Sequence, residues 1–383
     1  MKKMNNILEF LKNFIAYFLS VFISKYKNYW IISERGFDGR DNGYWFYRYM
    51  LEHHPEQKVI YCISKKSSDY EKIKKLSGEV VYYKSIKHGL IYFTSKCLIC
   101  THAYFCSPRW KGLDYIQKKG LLKPKGKKIF LQHGITKDYI EGLTKKKLKA
   151  DLFICGAKIE YDYIKEKFGY TNEVVYTGFS RFDNLYNSLN SAKKNILFMP
   201  TWREYIRLFD CEKEFKESRY YKNINALLNN KNLGNFLKEK KIKMLFYPHI
   251  EVQKWIKCFD IGIDNVEVCT MENYDVQKLL IDTEILITDY SSVFFDYAYM
   301  KKKIYFYQFD YDDYRSTQYK EGYFDYKKGF GPVFESTDLL VKRLIDEYNI
   351  ELNNNYLDRI RIFFTYNDNK NCDRIYSEIK KVV

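Results

Sequence analysis

Two successive α/β units, each built on a largely parallel sheet, are the fold class this sequence predicts. Three observations carry the expectation. Short apolar runs rich in β-branched and aromatic residues recur along the chain. Helix-length segments separate most of them, and strands alternating with helices imply βαβ units and parallel pairing. Several runs end on the same punctuation, a glycine, histidine, arginine or hydroxyl residue directly after the last apolar position.

Residues 7–24 (ILEFLKNFIAYFLSVFIS) come first. Glu9, Lys12 and Asn13 interrupt them, and the unbroken part, 14–23, is too short to span a bilayer. No small-residue cleavage site follows, which argues against a cleaved signal peptide. The segment predicts an amphipathic helix lying on an anionic membrane surface, with the lysines and aromatics of 25–30 as interfacial anchors. An ordinary helix packed on the first unit is the alternative.

Strands are expected at 29–33, 58–64, 80–83, 97–101, 128–132, 152–155 and 174–176. Helices are expected at 42–53, 85–95 and 157–168. A second set of strands runs 195–199, 244–247, 266–269, 285–288 and 304–307, joined to the first near 184–194. The expected division is a membrane-associated helix (1–28), an N-terminal α/β domain (29–188) and a C-terminal α/β domain (189–383). Parallel sheets bind ligands outside the carboxyl ends of their strands. With two such domains the expected site is the cleft between them.

Candidate site residues follow from that placement. Residues 282–310 read as strand, tight turn, helix and strand. A helix beginning at Ser291 or Ser292 would aim backbone N–H groups and two hydroxyls at one spot, which suits an anion. Plain N-capping by Asp289, Ser291 and Ser292 is the competing explanation. His133 stands at a strand end beside Gly134, where a histidine can act as a general base near neutral pH. Arg181, after Thr177-Gly178, could clamp a phosphate or pair with Asp183. Pro200-Thr201-Trp202-Arg203 and Pro248-His249 follow two further strands. Trp202 could face a base or fill the cleft wall. His53, His54, His88 and His102 read as surface or core residues.

Composition narrows the function classes. The formal charge is +17 and the lysines cluster at 123–128, 145–149 and 301–303. Such a balance suits a phosphate-rich substrate, anionic lipid or nucleic acid. No nucleic-acid-binding motif accompanies it. The nine cysteines have no disulfide-framework spacing, which favours a reducing compartment. The Cys97-Leu98-Ile99-Cys100 run lies in a strand and reads as buried thiols. No Asp/His cluster has metal-ligand spacing, and no Walker loop or GxGxxG is present.

At WIISERGFDGRDNGYWF, LQHGITKD, TGFSRFDNL, ILFMPTWR, YPHI, ILITDYSSVFFDYAYMKKKIYFYQFDYDDY and EGYFDYKKGFGPVF the chain resembles the CDP-glycerol glycerophosphotransferase family of teichoic acid and capsular polymer synthesis. The resemblance implies a GT-B-like fold of two Rossmann-type domains facing a cleft. It implies transfer of an alditol phosphate from CDP-glycerol or CDP-ribitol to a hydroxyl of a lipid-linked or polymeric anionic acceptor, with release of CMP. It makes His133 the general base and gives His249 the pyrophosphate or leaving group. Gln132, Gly134, Ile135, Thr136, Arg181, Pro200, Thr201, Arg203, Pro248, Ser291, Ser292 and Asp296 would contact the CDP-alditol. No protein-held metal is obligatory, and Mg²⁺ could accompany the pyrophosphate. The implied location is peripheral, on the cytoplasmic face of the cell membrane, with no nucleic acid partner.

Two departures stand out. Gln-His-Gly-Ile-Thr replaces a Trp-His-Gly-Thr-Pro-like sequence, and Gly329-Phe330-Gly331-Pro332 replaces Pro-Gly-Pro. Without the long extra N-terminal domain of some polymerases, the chain looks like the shorter primase-type members. A GT-B glycosyltransferase using a nucleotide sugar, a basic nucleic-acid-binding protein and a noncatalytic membrane scaffold are the competing classes.

Overall fold

In the computed structural model, which describes residues 2–189, 193–319 and 321–383, thirteen strands form two sheets with every strand pair parallel. The first sheet contains β1 (Trp30–Ser33), β2 (Val59–Ile63), β3 (Glu79–Tyr82), β4 (Cys97–Cys100), β5 (Lys127–Phe130), β6 (Leu152–Cys155) and β7 (Val174–Tyr176), in the order β3-β2-β1-β4-β5-β6-β7. The second contains β8 (Lys193–Phe198), β9 (Met244–Phe246), β10 (Val266–Val268), β11 (Thr283–Thr288), β12 (Lys303–Tyr307) and β13 (Val333–Phe334), in the order β10-β9-β8-β11-β12-β13. The two-residue β13 was not expected, because so short a strand has no periodicity to read.

The strands are where the apolar runs put them for a physical reason. β1, β2, β4 and β6 are buried at every position. Parallel strands covered on both faces must be apolar throughout. In each sheet the strand order reverses once, between β1 and β4 in the first and between β8 and β11 in the second. Such switch points leave a crevice at the carboxyl ends where connecting loops diverge.

The chain divides into two compact units, one of Met1–Ile135, Ile140–Asn184 and Asp368–Val383, the other of Thr136–Tyr139 and Leu185–Asn367. The main boundary falls at 184/185 instead of 188/189, residues 1–28 join the first unit, and two further segments change sides. The terminal helix Asn371–Val382 belongs to the first unit, because Asp183 accepts from the backbone N–H groups of Asn371 (2.8 Å) and Cys372 (2.9 Å). Arg374 Nε also donates to the Thr177 carbonyl (2.8 Å), and Tyr376 stacks on His54 at 3.6 Å. Thr136–Tyr139 belongs to the second unit, where Asp138 bridges Gly322 and Tyr139 N–H donates to the Glu321 carbonyl (2.9 Å). The junction expected near 184–194 includes 190–192, which lie outside the described residues.

The N-terminal segment is one helix, Lys2–Phe22. One side packs on the helix Ile86–Thr94: Ala16 is fully buried, and Tyr17 meets Phe93 edge to face at 5.3 Å. Asn13 donates to the Lys111 carbonyl (2.9 Å). The other side exposes Phe14, Ile15, Phe18, Val21 and Phe22, the last two at 57% and 71%. Among the described residues no helix is long and apolar enough to cross a membrane. All nine cysteines are free thiols, and all but Cys211 are buried, including Cys97 and Cys100.

Asp183→Ala removes the cap of the terminal helix and strands two buried donors. The expected cost is about 2 kcal/mol. Thermal melting checks it, with a midpoint several degrees below wild type; an unchanged midpoint would show that the cap contributes nothing.

Candidate functional site

In the first unit, polar groups gather at the tips of β1, β4 and β5. The loop after β1 turns through Gly36 and enters the helix Asn42–His53. Glu34 is buried there and accepts from the N–H groups of Asp41 (2.9 Å), Tyr44 (2.9 Å) and Arg40 (3.1 Å). Burial, then Asp41, pushes its carboxyl up to about 8, against the pull of those three donors. Asn42 is fully buried; its amide donates to the carbonyls of Leu131 (3.2 Å) and Gln132 (2.9 Å). The start of this helix is thereby fastened to the segment that carries His133.

Gln132 is not an open contact residue. It is buried, and its amide donates to the Ile154 carbonyl (2.6 Å) and to Glu160 (3.1 Å). Its φ of 58° lies in the left-handed region, which costs a non-glycine residue energy and persists only where surroundings enforce it. The hydrogen bonds to its amide and carbonyl are that enforcement. The next residue, His133, is turned outward and exposed, whereas Ile135 is buried. Thr136 is also buried and lies in the second unit.

Neighbouring protein atoms still strip water from His133, and this desolvation lowers its pKa from 6.5; Asp41 and the Thr101 backbone act upward, Arg181 and Arg35 downward. Arg181 Nη1 donates to Asp41 (3.0 Å) and to the His133 carbonyl (3.2 Å). The Thr177-Gly178 turn needs its glycine: φ is 81°, and a Cβ would meet Asn371 Oδ1 at 1.7 Å.

His102, read from the sequence as surface or core, belongs to this cluster. Its ring stacks on His133 at 5.0 Å with an 11° interplanar angle. Burial is the first cause that lowers it to about 3, followed by the charge of His133 and then Arg35. The signal was available: His102 stands two residues beyond β4 as His133 stands three beyond β5.

In the second unit the cluster lies at the tips of β8, β9 and β11. His249 follows β9 and caps the short helix Ile250–Gln253, accepting from Glu251 N–H at Nδ1 (3.2 Å). An accepting Nδ1 places the neutral ring's proton on Nε2. Trp202 stacks on His249 at 5.8 Å and 22°, and the Arg207 guanidinium lies 4.4 Å over Trp202. Pro200 and Pro248 are buried. The Thr201 backbone N–H donates to Asp289 Oδ1 (2.8 Å), and the buried Thr201 hydroxyl has no protein partner.

Arg203 corrects the sequence reading. It is 1% exposed, and its guanidinium is taken up by protein partners. It pairs with Asp310 through Nε (2.7 Å) and Nη2 (2.9 Å), with Asp289 through Nη2 (2.9 Å), and with the Thr201 carbonyl through Nη1 (2.6 Å). Tyr290 donates to Asp310 (3.0 Å) from above this group. Position after a strand put the arginine in the right place, but two carboxylates from neighbouring tips take its donors. A second buried charge group joins Lys137 to Asp138, with Arg315 on Asp138 at 2.6 Å.

Ser291 and Ser292 are half-buried at the start of the helix Val293–Tyr299. Ser292 makes no side-chain capping bond, and Ser291 Oγ accepts only a long contact, 3.4 Å from Val293 N–H. Plain N-capping therefore does not explain them. Asp296 is buried on the first turn of that helix. Among the described residues no group of three or more His, Cys, Asp or Glu side chains could hold a metal ion.

The model of the CDP-Glycerol:Poly(glycerophosphate) glycerophosphotransferase family matches residues 14–381. The chain belongs to this family. It is 35% identical over 369 residues to the minor teichoic acid biosynthesis protein GgaB of Bacillus subtilis (strain 168), covering 92% of this chain and 40% of that one. It is 26% identical over 235 residues to a teichoic acid poly(glycerol phosphate) polymerase of Bacillus spizizenii, covering 57% and 56%. The chain therefore spans about half or less of the length of these relatives. A solved structure of the wall teichoic acid polymerase TagF superposes with a TM-score of 0.68 at 21% identity, covering 99% of this chain and 97% of that one. That likeness establishes the GT-B-type fold expected for the family.

Removing the cation from the Arg203 group leaves two buried carboxylates uncompensated. Arg203→Ala is expected to cost about 3–5 kcal/mol, read as a large drop in melting temperature without any ligand present. A variant as stable as wild type would return Arg203 to the ligand-binding residues.

Proposed function

We propose that this chain transfers an alditol phosphate, glycerol phosphate or ribitol phosphate, from a CDP-alditol to a hydroxyl of a lipid-linked or polymeric anionic acceptor, releasing CMP. The product would be a teichoic acid or capsular polymer. One observation carries the reading: each unit presents a histidine beyond a strand end, stacked on a flat ring from the neighbouring strand tip. The neutral ring of His133 has an accepting nitrogen, as a base requires. His249 keeps Nε2–H, as a donor to a phosphate requires.

The acceptor oxygen attacks the alditol-side phosphorus, and its proton passes to the accepting nitrogen of His133. The bond from that phosphorus to the bridging oxygen breaks, and His249 Nε2–H stabilises the charge that builds on departing CMP. Phosphoryl transfer depends mostly on such positioning and charge stabilisation. Ser291, Ser292 and the unpartnered Thr201 hydroxyl supply hydrogen bonds to the diphosphate, and Arg181 and Asp296 line the donor site. Gly134 permits close approach of the substrate beside the base. Mg²⁺ carried on the donor's own diphosphate oxygens is compatible with this scheme.

Peripheral attachment to the cytoplasmic face of the membrane belongs to the same reading. The support is the exposed apolar side of the helix Lys2–Phe22, with the net positive charge of the chain. Phe18→Glu is expected to reduce co-flotation with anionic liposomes; equal flotation would separate this helix from membrane binding.

The deciding experiment offers a panel of CDP-alditols and nucleotide sugars with a lipid-linked acceptor and follows the nucleotide released. CMP release from CDP-glycerol or CDP-ribitol is expected. Turnover of a nucleotide sugar alone would overturn the reading in favour of a glycosyltransferase. His133→Ala should lower kcat by roughly 10²–10⁴, and Ser291→Ala with Ser292→Ala should raise KM for the donor. Because the pKa of His133 is lowered, the neutral base persists below pH 6.5. The acid limb of kcat/KM should therefore fall below that value, and a limb above pH 7 would assign it to another group.

A further inference from the structure

His133 is the last ring of a column. The Arg109 guanidinium lies 5.0 Å over Tyr104, Tyr104 stacks on His102 at 5.7 Å and 22°, and His102 stacks on His133 at 5.0 Å and 11°. The first three members come from the single loop after β4. That loop doubles back through left-handed backbone at three non-glycine residues, Phe105 (43°), Cys106 (60°) and Arg109 (48°). Strain of this kind is maintained only by surrounding bonds, and they are present. His88 Nε2 bonds the Cys106 carbonyl (2.8 Å), and Cys106 Sγ donates to the Ile99 carbonyl (3.1 Å). Trp110 Nε1 donates to the Lys84 carbonyl (3.2 Å).

The Thr101 hydroxyl bonds His102 Nδ1 (2.8 Å) and so orients that ring. We propose that His102 is a positioning residue for His133. Clamped between Tyr104 and His133, its ring fixes the plane of the base and keeps water off one face, leaving the ring edge for substrate. The inference rests on the reading of His133 as the base.

The charged groups facing this pair are Asp41 from the loop after β1, Arg35 from the same loop and Arg181 from the helix Ser180–Asn187. Asp41 favours a charged His133 and the two arginines oppose it. The stack adds exclusion of water, which opposes charge as well. Opening the stacked face to water should therefore raise the pKa of His133.

The test uses the full chain with ¹⁵N-labelled histidines, comparing wild type, His102→Ala and His102→Phe. In His102→Ala the ring signals of His133 should titrate at higher pH, and the acid limb of kcat/KM should move with them. Its kcat should fall roughly 10- to 100-fold with donor KM unchanged. His102→Phe restores a flat ring and should recover most of both properties. An unmoved titration in His102→Ala would overturn the proposal. So would a His102→Phe as impaired as His102→Ala, because a ring nitrogen and not the ring plane would then be needed. If His102→Ala does not fold, Tyr104→Leu removes the other side of the clamp and should shift His133 in the same direction; no shift there overturns the proposal. The titration needs no turnover, so it judges the stack even where an active His133→Ala has refuted the role of His133 as base.

Discussion

Every strand pair in both sheets is parallel, and this constraint organises the rest of the molecule. Parallel strands release all their carboxyl ends along one edge of a sheet, so polar residues scattered over more than a hundred positions of one unit come out side by side. His102 and His133 follow the adjacent strands β4 and β5. Trp202 and His249 follow the adjacent strands β8 and β9. Each candidate histidine thus lies against a flat ring supplied by the neighbouring strand tip. The same arrangement serves both units, although the rings differ.

Buried charge and hydrogen-bond groups set these loops. In the second unit Arg203 joins the tips of β8, β11 and β12 through Asp289 and Asp310. In the first, Glu34 and Asn42 fasten the helix that follows β1 to the segment before His133. Such groups gain little net stability over apolar packing, but losing one partner is expensive. Their effect is to allow one loop geometry and penalise the others. The left-handed Gln132 is held in that way, and its conformation turns His133 outward while Gln132 itself stays in the core.

Much of the candidate site is read from strand-end positions. That rule picks His133, His249, Thr201, Ser291 and Ser292, and the structure places each beyond a strand end. The rule also put Arg203 among the ligand contacts, and the family resemblance put Gln132 there; the side chains of both meet internal partners, which a sequence does not reveal. Asp289 and Asp310 lie 86 and 107 positions after Arg203, and Glu160 lies 28 after Gln132. His102 satisfied the rule as well, but nothing near it in sequence distinguished it. Its significance comes from stacking across β4 and β5, whose ends are some thirty residues apart in the chain.

The sequence by itself determined the family, the alternation of strands and helices, the parallel character of both sheets and the amphipathic N-terminal helix. Those are local properties: apolar runs of strand length, turn residues and periodicity act over a few neighbours. Tertiary structure alone decided which charges neutralise one another, which imidazoles stack on which rings, and which unit the last helix joins. Each depends on groups distant in the chain coming into contact, where hydrogen-bond energies change most steeply with distance and angle.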